Sequence, residues 1–333
     1  MQRAALPKKQ KSAARFAAAA SAALLFILVF IAISPKRYAD ACLEGLKTWL
    51  LFVVPSLFPF FVFTALLTKL GFASKASGKL SPLMEKGFRL PGTAAYCFLM
   101  SAISGYPVGS RVACDLAENG LLERKNATFA GALCSTSGPM FVIGSVGAAM
   151  FRSAACGAVL FASHLTAVIT VSFIAARFRK RENAPRALPP LRNADNVLYE
   201  SVYGGVVSIL CVGGFIALFY VLSEMLSAVK LLAPLAWLFE KMLSPLGAQG
   251  AGIAFAEGLL EVTHGCAALS ETGTATLPAA AFLITFGGAC ILAQQLSYLK
   301  RAGAKTGAFL LFKLAQGVTA FFICLGLCAL FRL

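Results

Sequence analysis

Charge is scarce in this chain, and acid scarcest of all: 13% of its 333 residues are Asp, Glu, Lys or Arg, with 14 acidic against 30 basic. A soluble domain carries roughly a quarter of its residues charged, so a water-facing globular surface is excluded. Histidine occurs twice, and the ten cysteines stand singly in apolar stretches, with no CxxC pair and no Cys/His cluster at zinc spacing. That removes the basis for a disulfide framework or a metal site. No Walker A sequence, no Gly-x-Gly-x-x-Gly after a strand and no HExxH is present, so ATP-driven pumping and zinc proteolysis lose their usual signatures. No cofactor and no enzymatic activity are expected.

What fills the chain is apolar sequence, 59% of the residues, at a mean hydropathy of +0.78. Several runs approach the roughly 20 residues that cross a bilayer as a helix, and the alternating strands of a membrane barrel are not visible. The expected fold is an all-α polytopic membrane protein with about seven transmembrane helices, some of them broken. Their segments are 16–34, 44–68, 126–150, 153–176, 198–226, 277–298 and 306–331. Residues 92–120 and 249–272 are glycine-rich and carry ionisable groups midway, so each is expected as a re-entrant hairpin. Irregular backbone at membrane depth is tolerated where protein buries it or a polar cavity receives it.

The basic residues lie between the apolar runs and form no basic face, so nucleic acid is not an expected partner. They act as topology signals. With the N-terminus inside, the inside loops hold 21 Lys and Arg and the outside loops seven, leaving only Arg111 and Lys313 within membrane segments. The partners expected are the lipid bilayer and a small-molecule solute, and the sequence leaves assembly into a homo-oligomer open.

The proline-containing basic segment around 177–197 is expected as a cytoplasmic linker between halves. Before it lie a basic tail and first transmembrane helix (1–40) and a first repeat (41–176); after it lies a second repeat (198–333). At an offset of 149, Gly138 pairs with Gly287, Arg152 with Arg301, Leu165 with Leu314 and Thr170 with Thr319. By the charge count the two repeats run in opposite directions. Inverted repeats with broken helices at matching positions point to a secondary-transporter site near the midplane.

Four polar elements interrupt the apolar background. Gly105, Pro107 and Gly109 break a helix just before Arg111, which is expected to meet an anion, to pair with Asp115 one turn on, or to snorkel to the interface. Ser135, Thr136 and Ser137 precede Gly138 and Pro139, and Pro139 kinks or interrupts the span. Glu257, Glu261 and His264 share one face if helical, with Gly265 ending it; that face is either a proton-carrying one or a hydrated loop. Gly287 and Gly288 loosen a helix that then presents Gln294 and Gln295. His164, alone in an apolar span, is expected as a satisfied interior histidine.

Six stretches carry a family resemblance: LKTWLLFVVPSLFPFFVF (46–63), RLPG (89–92), SGYPVGSRVACDLAENGLL (104–122), CSTSGPMFVIGSVG (134–147), GLLEVTHGC (258–266) and FGGACILAQQ (286–295). Together they resemble the YlbJ-type sporulation integral membrane proteins, with nucleoside-recognition or gate repeats similar to the core of concentrative nucleoside transporters. The resemblance implies a bacterial cell-membrane protein, at the outer forespore membrane during endospore formation, that moves dipicolinate by alternating access. It implies substrate-facing residues at Gly105, Tyr106, Pro107, Gly109 and Arg111; at Ser135, Ser137, Gly138 and Pro139; at Glu261, Thr263, His264 and Gly265; and at Gly287, Gly288 and Gln294. The rival expectations are a carrier of nucleosides or other small metabolites and a non-transporting scaffold for spore assembly. An intramembrane enzyme, resting on Glu261 and His264, stands behind both.

Overall fold

The computed structural model describes residues 8–70, 72–180 and 196–333, and every regular element among them is a helix. The tail up to residue 7 and residues 181–195 of the expected linker lie outside the described residues. In chain order the helices of the first half are α1 (Lys8–Ile33), α2 (Pro35–Thr48), α3 (Val54–Lys69), α4 (Phe72–Leu83), α5 (Thr93–Ser104), α6 (Val108–Glu118), α7 (Ala127–Leu133) and α8 (Ala154–Ala176). Those of the second are α9 (Val197–Ala228), α10 (Ala233–Leu243), α11 (Ala251–Gly258), α12 (Val262–Glu271), α13 (Leu277–Phe286), α14 (Gly288–Leu299) and α15 (Thr306–Phe331).

Among the described residues, five stretches are long and apolar enough to cross a membrane: Pro35–Leu67, Ala154–Ala176, Val197–Ala228, Thr274–Leu299 and Thr306–Phe331. Two of the expected spans take another form. The apolar part of α1 is the shorter stretch Ala17–Ile33, and residues 126–150 are divided into α7, an irregular stretch and a π-helical segment, Met140–Met150. The division follows from Pro139, which has no N–H to offer a preceding carbonyl.

Helix α2 passes into α3 through a π-helical turn, Trp49–Val53, just ahead of Pro55 and Pro59. The carbonyl of Phe52 there accepts from both Ser56 Oγ (2.7 Å) and Ser145 Oγ (2.8 Å), so a hydroxyl from the Met140–Met150 segment helps satisfy backbone loosened by proline. Helix α8 starts on Ser153, whose side chain accepts from Cys156 N in the manner of a serine N-cap.

Two large apolar clusters make up most of the packed interior, with two smaller ones beside them. Leu160, Leu269, Leu277 and Ile284 belong to the larger, which joins α8 to α12 and α13. Leu90, Leu122, Leu133 and Phe309 belong to the second, around α5, α6 and α7. Leu24, Leu25 and Leu28 on α1, Leu210 and Leu218 on α9, and Leu311 and Phe322 on α15 are exposed. A soluble protein does not carry so much exposed apolar surface; a bilayer accepts it.

The polar contacts at the helix ends sort by side. Lys69 pairs with Glu200, Arg301 with Glu118, and Arg179 with Asn126, all residues that the charge count assigns inside. At the other end Arg37 pairs with Glu224, and Ser227 donates to Glu257. There too Glu240 on α10 accepts from the amides of Gly250 (2.8 Å) and Gly252 (2.9 Å), and these two bonds hold its carboxyl below the usual carboxylate range.

The order of elements recurs. Each half runs a long helix, a short connector helix (α4 or α10), a helix–break–helix hairpin (α5 and α6, or α11 and α12), a broken span and a final long helix (α8 or α15).

Candidate functional site

The first hairpin turns at Gly105, Tyr106 and Pro107. Gly105 has φ 80° and ψ −165°, a region essentially reserved for glycine, and a Cβ there would stand 2.6 Å from Gly138 N. The hairpin tip therefore rests directly on the break of the first broken span. Gly109 seals the same contact, since its Cβ would meet Cys134 O at 1.8 Å.

The second half repeats this arrangement by another route. Helix α11 ends at Gly258 and α12 begins at Val262, and the carbonyls freed between them are taken up by the next broken span: Ala289 N donates to Leu259 O (2.7 Å) and Cys290 N to Leu260 O (2.9 Å). Gly287 makes this reachable by ending α13 at φ 98°, a left-handed conformation that favours glycine. A Cβ at Gly288 would lie 2.9 Å from Gly258 O.

Buried backbone groups need partners, and at the first break side chains from several elements supply them. Ala132 O accepts from Gln316 Nε2 (3.1 Å), Cys134 O from Ser101 Oγ, and Ser135 O from Lys313 Nζ (3.0 Å). Thr136 N donates to Ser101 Oγ (3.1 Å) and Ser137 N to His164 Nε2 (2.8 Å). The halves are then tied to each other. His164 Nδ1 meets Thr285 Oγ1 at 2.9 Å, Tyr106 Oη donates to Ile284 O at 3.0 Å, and Ser110 Oγ donates to Gln295 Oε1 at 3.1 Å.

Between the breaks lies a cavity of about 40 Å³ whose wall includes Tyr106, Ser137, Gly138, Glu261, Thr263 and Gln294. It has room for a few water molecules, so a larger solute enters only if the breaks part. A second cavity, about 650 Å³, adjoins it through Val212 and Gln294 and reaches Lys69, Arg111, Asp115 and Glu200.

The expected site residues thus divide three ways. Tyr106, Ser137, Gly138, Glu261, Thr263 and Gln294 come together around the inner cavity, while Pro107 and Arg111 line the outer one. Gly105, Gly109 and Gly288 serve the close approaches at the breaks, Gly287 ends α13, Pro139 leads into the Met140–Met150 segment, and Ser135 contributes its carbonyl to Lys313.

His264 and Gly265 line neither cavity. His264 Nε2 lies 3.1 Å from Glu257 Oε2, and its ring stands edge-on to Tyr220 at 5.0 Å; Gly265 packs on Gly258.

One expectation is corrected here, and one alternative for Arg111 is narrowed. Glu257, Glu261 and His264 do not share one helical face, because the chain leaves the helix at Glu261 (φ −135°, ψ 114°). The Glu261 carboxylate turns back to accept from His264 N at 2.7 Å, satisfying an otherwise unpartnered amide of the first turn. Arg111 forms no ion pair with Asp115 among the described contacts; its Nη1 approaches Ser208 Oγ on α9 at 3.4 Å.

Lys313, Gln316, Thr285 and Ser101 carry the breaks without having been assigned there from sequence. Lys313 and Gln316 had a readable signal, being three apart on an otherwise apolar helix and so on one face. Both are wholly buried.

The sporulation integral membrane protein YlbJ of Bacillus subtilis (strain 168) is 29% identical to this chain over 323 residues, spanning 89% of the chain and 79% of the relative. The chain is therefore similar to a sporulation integral membrane protein along most of its length. A match of that extent, wherever its ends fall, takes in both hairpins and Gly287. No protein-family model and no solved structure matches the chain, so the gate-repeat likeness rests on the quoted motifs. The relative's kind, with five helices among the described residues long and apolar enough to span, makes this an integral protein of the cell membrane.

Proposed function

We propose that this protein is a carrier that moves a small anionic solute, dipicolinate during endospore formation, by alternating access. The observation that supports this best is the meeting of two helix breaks, one from each half, around an inner cavity lined by hydroxyls, an amide and a carboxylate, with a larger cavity beside it. Broken helices meeting at a repeat interface are the form that secondary-transporter sites take. On this reading the halves are inverted gate-like repeats, and the structure is a closed state with its outer cavity toward the side of Lys69 and Glu200, which the charge count makes cytoplasmic.

Arg111 gives that cavity a cation before a solute reaches the breaks. A charge left uncompensated at mid-membrane costs at least ~3 kcal/mol, and Arg111 in front of the breaks with Lys313 behind them offsets it for an anion. The B. subtilis relative is a sporulation protein by name, which fits a spore-core solute.

Flux of labelled dipicolinate into proteoliposomes tests the reading, with nucleosides as competitors. Saturable dipicolinate uptake that falls in Arg111→Ala is expected. Nucleoside uptake that survives Arg111→Ala would move the cargo to nucleosides, and no saturable flux of either would sink the carrier reading's cargo.

A further inference from the structure

Lys313 is wholly buried about two turns into α15, and no carboxylate forms an ion pair with it among the described residues. A long, strongly hydrated cation is not left in such a place without an electrostatic reason. Its partners are backbone and ring: Ser135 O at 3.0 Å, Tyr106 Oη at 3.5 Å, and the Tyr106 ring centroid at 5.4 Å. The carbonyl belongs to the irregular stretch that follows the C-terminus of α7, where the helix dipole places partial negative charge. One turn along α15, Gln316 donates to Ala132 O of the same end.

Unwound carbonyls and the C-terminal ends of half-helices are what coordinate a metal cation in transporters with broken helices. We propose that the Lys313 ammonium is a tethered substitute for such a cation. It fills a cation position at the first break made by the Ser135 carbonyl and the Tyr106 hydroxyl and ring, so the protein holds this break together without bound sodium. Removing the side chain leaves a position that a free monovalent cation can occupy. The inference stands on the geometry of the break and does not depend on the carrier reading.

Thermal unfolding of the purified full chain in detergent tests it, in sodium chloride and in N-methylglucamine chloride of equal ionic strength. For the wild type the two salts should give Tm values within about 1 °C, because a ligand raises Tm only if it binds the folded state. Lys313→Ala should unfold roughly 5 °C lower or more in N-methylglucamine and recover part of that loss in sodium or ethylammonium chloride. Lys313→Met, which keeps the volume and removes the donor, should stay low in every salt.

A sodium-specific rise in the wild type would overturn the proposal, as would Lys313→Met matching the wild type, or Lys313→Ala responding to neither cation. If Lys313→Ala does not fold, the wild-type and Lys313→Met measurements decide. None of these readouts requires a transported solute, so failed flux and failed cation substitution are separable.

Discussion

The backbone amide of Ser137 donates to Nε2 of His164 at 2.8 Å, across a helix break that neither half closes alone. A neutral imidazole with one accepting nitrogen must donate from the other, which here meets Thr285 Oγ1 at 2.9 Å. His164 is thus a two-ended strut between the broken spans, wholly buried. His164→Phe leaves a buried amide and a hydroxyl without partners, at a cost of about 1–3 kcal/mol. His164→Gln, with both an acceptor and a donor on one group, should lose less. Tm in detergent separates the two, and a His164→Phe protein as stable as the wild type would show the strut to be idle.

The glycines of the first hairpin and of α9 make opposite predictions. Gly105→Ala meets Gly138 N at 2.6 Å from a positive φ, so it should cost about 1–3 kcal/mol through backbone strain alone. Gly204, on α9, has nothing within 4 Å of where a Cβ would stand, and Gly204→Ala should be neutral or stabilise by up to about 1 kcal/mol. Matched Tm measurements check the pair. Equal behaviour of the two would mean that the Gly105–Gly138 contact does not constrain the fold.

Much of this architecture could be read from sequence because proline and glycine act locally. Pro139, the Gly105–Pro107 turn and Gly287 interrupt helices by their own stereochemistry, and each break is where the residue types put it. The partner of Lys313 could not be read, since Ser135 O lies on a different span and no local rule links them. Glu261 was misplaced for a related reason. Helical periodicity puts it on a face with Glu257 and His264, but the neighbouring Leu259 and Leu260 carbonyls are claimed by Ala289 and Cys290, and the helix stops short of it.

Arg111 and Asp115 make a direct test of what the hairpin charge is for. Arg111 reaches Ser208 on another helix and is not paired with Asp115, so the swap Arg111→Asp with Asp115→Arg should fail to restore function lost in Arg111→Asp. Under the carrier reading, saturable uptake of labelled dipicolinate into proteoliposomes provides the measurement. Restoration by the double variant would return Arg111 to the role of a plain ion-pair partner.

Cys211 lines the outer cavity and is exposed, Cys42 is partly buried, and the other eight cysteines are buried. In a Cys42→Ser background, a membrane-impermeant thiol reagent should label Cys211 from the side that carries Lys69 and Glu200. Inside-out vesicles should therefore react faster than right-side-out ones if that side is cytoplasmic. Labelling from the opposite side would reverse the orientation drawn from the charge count.

Glu261 has two duties that one pair of substitutions can separate. Its carboxylate caps α12 through His264 N, and it is also the one carboxylate on the wall of the inner cavity. Glu261→Ala removes both, with a capping loss of about 0.5–2 kcal/mol. Glu261→Gln keeps an acceptor oxygen for the amide while discarding the charge, so its Tm should stay closer to the wild type. A negative wall opposes an approaching anion unless a proton neutralises one of the two charges. Under the carrier reading, Glu261→Gln should therefore alter saturable uptake and flatten its dependence on a pH gradient with stability largely kept. Uptake and pH dependence equal to the wild type in Glu261→Gln would reduce Glu261 to a helix cap and remove it from the solute path.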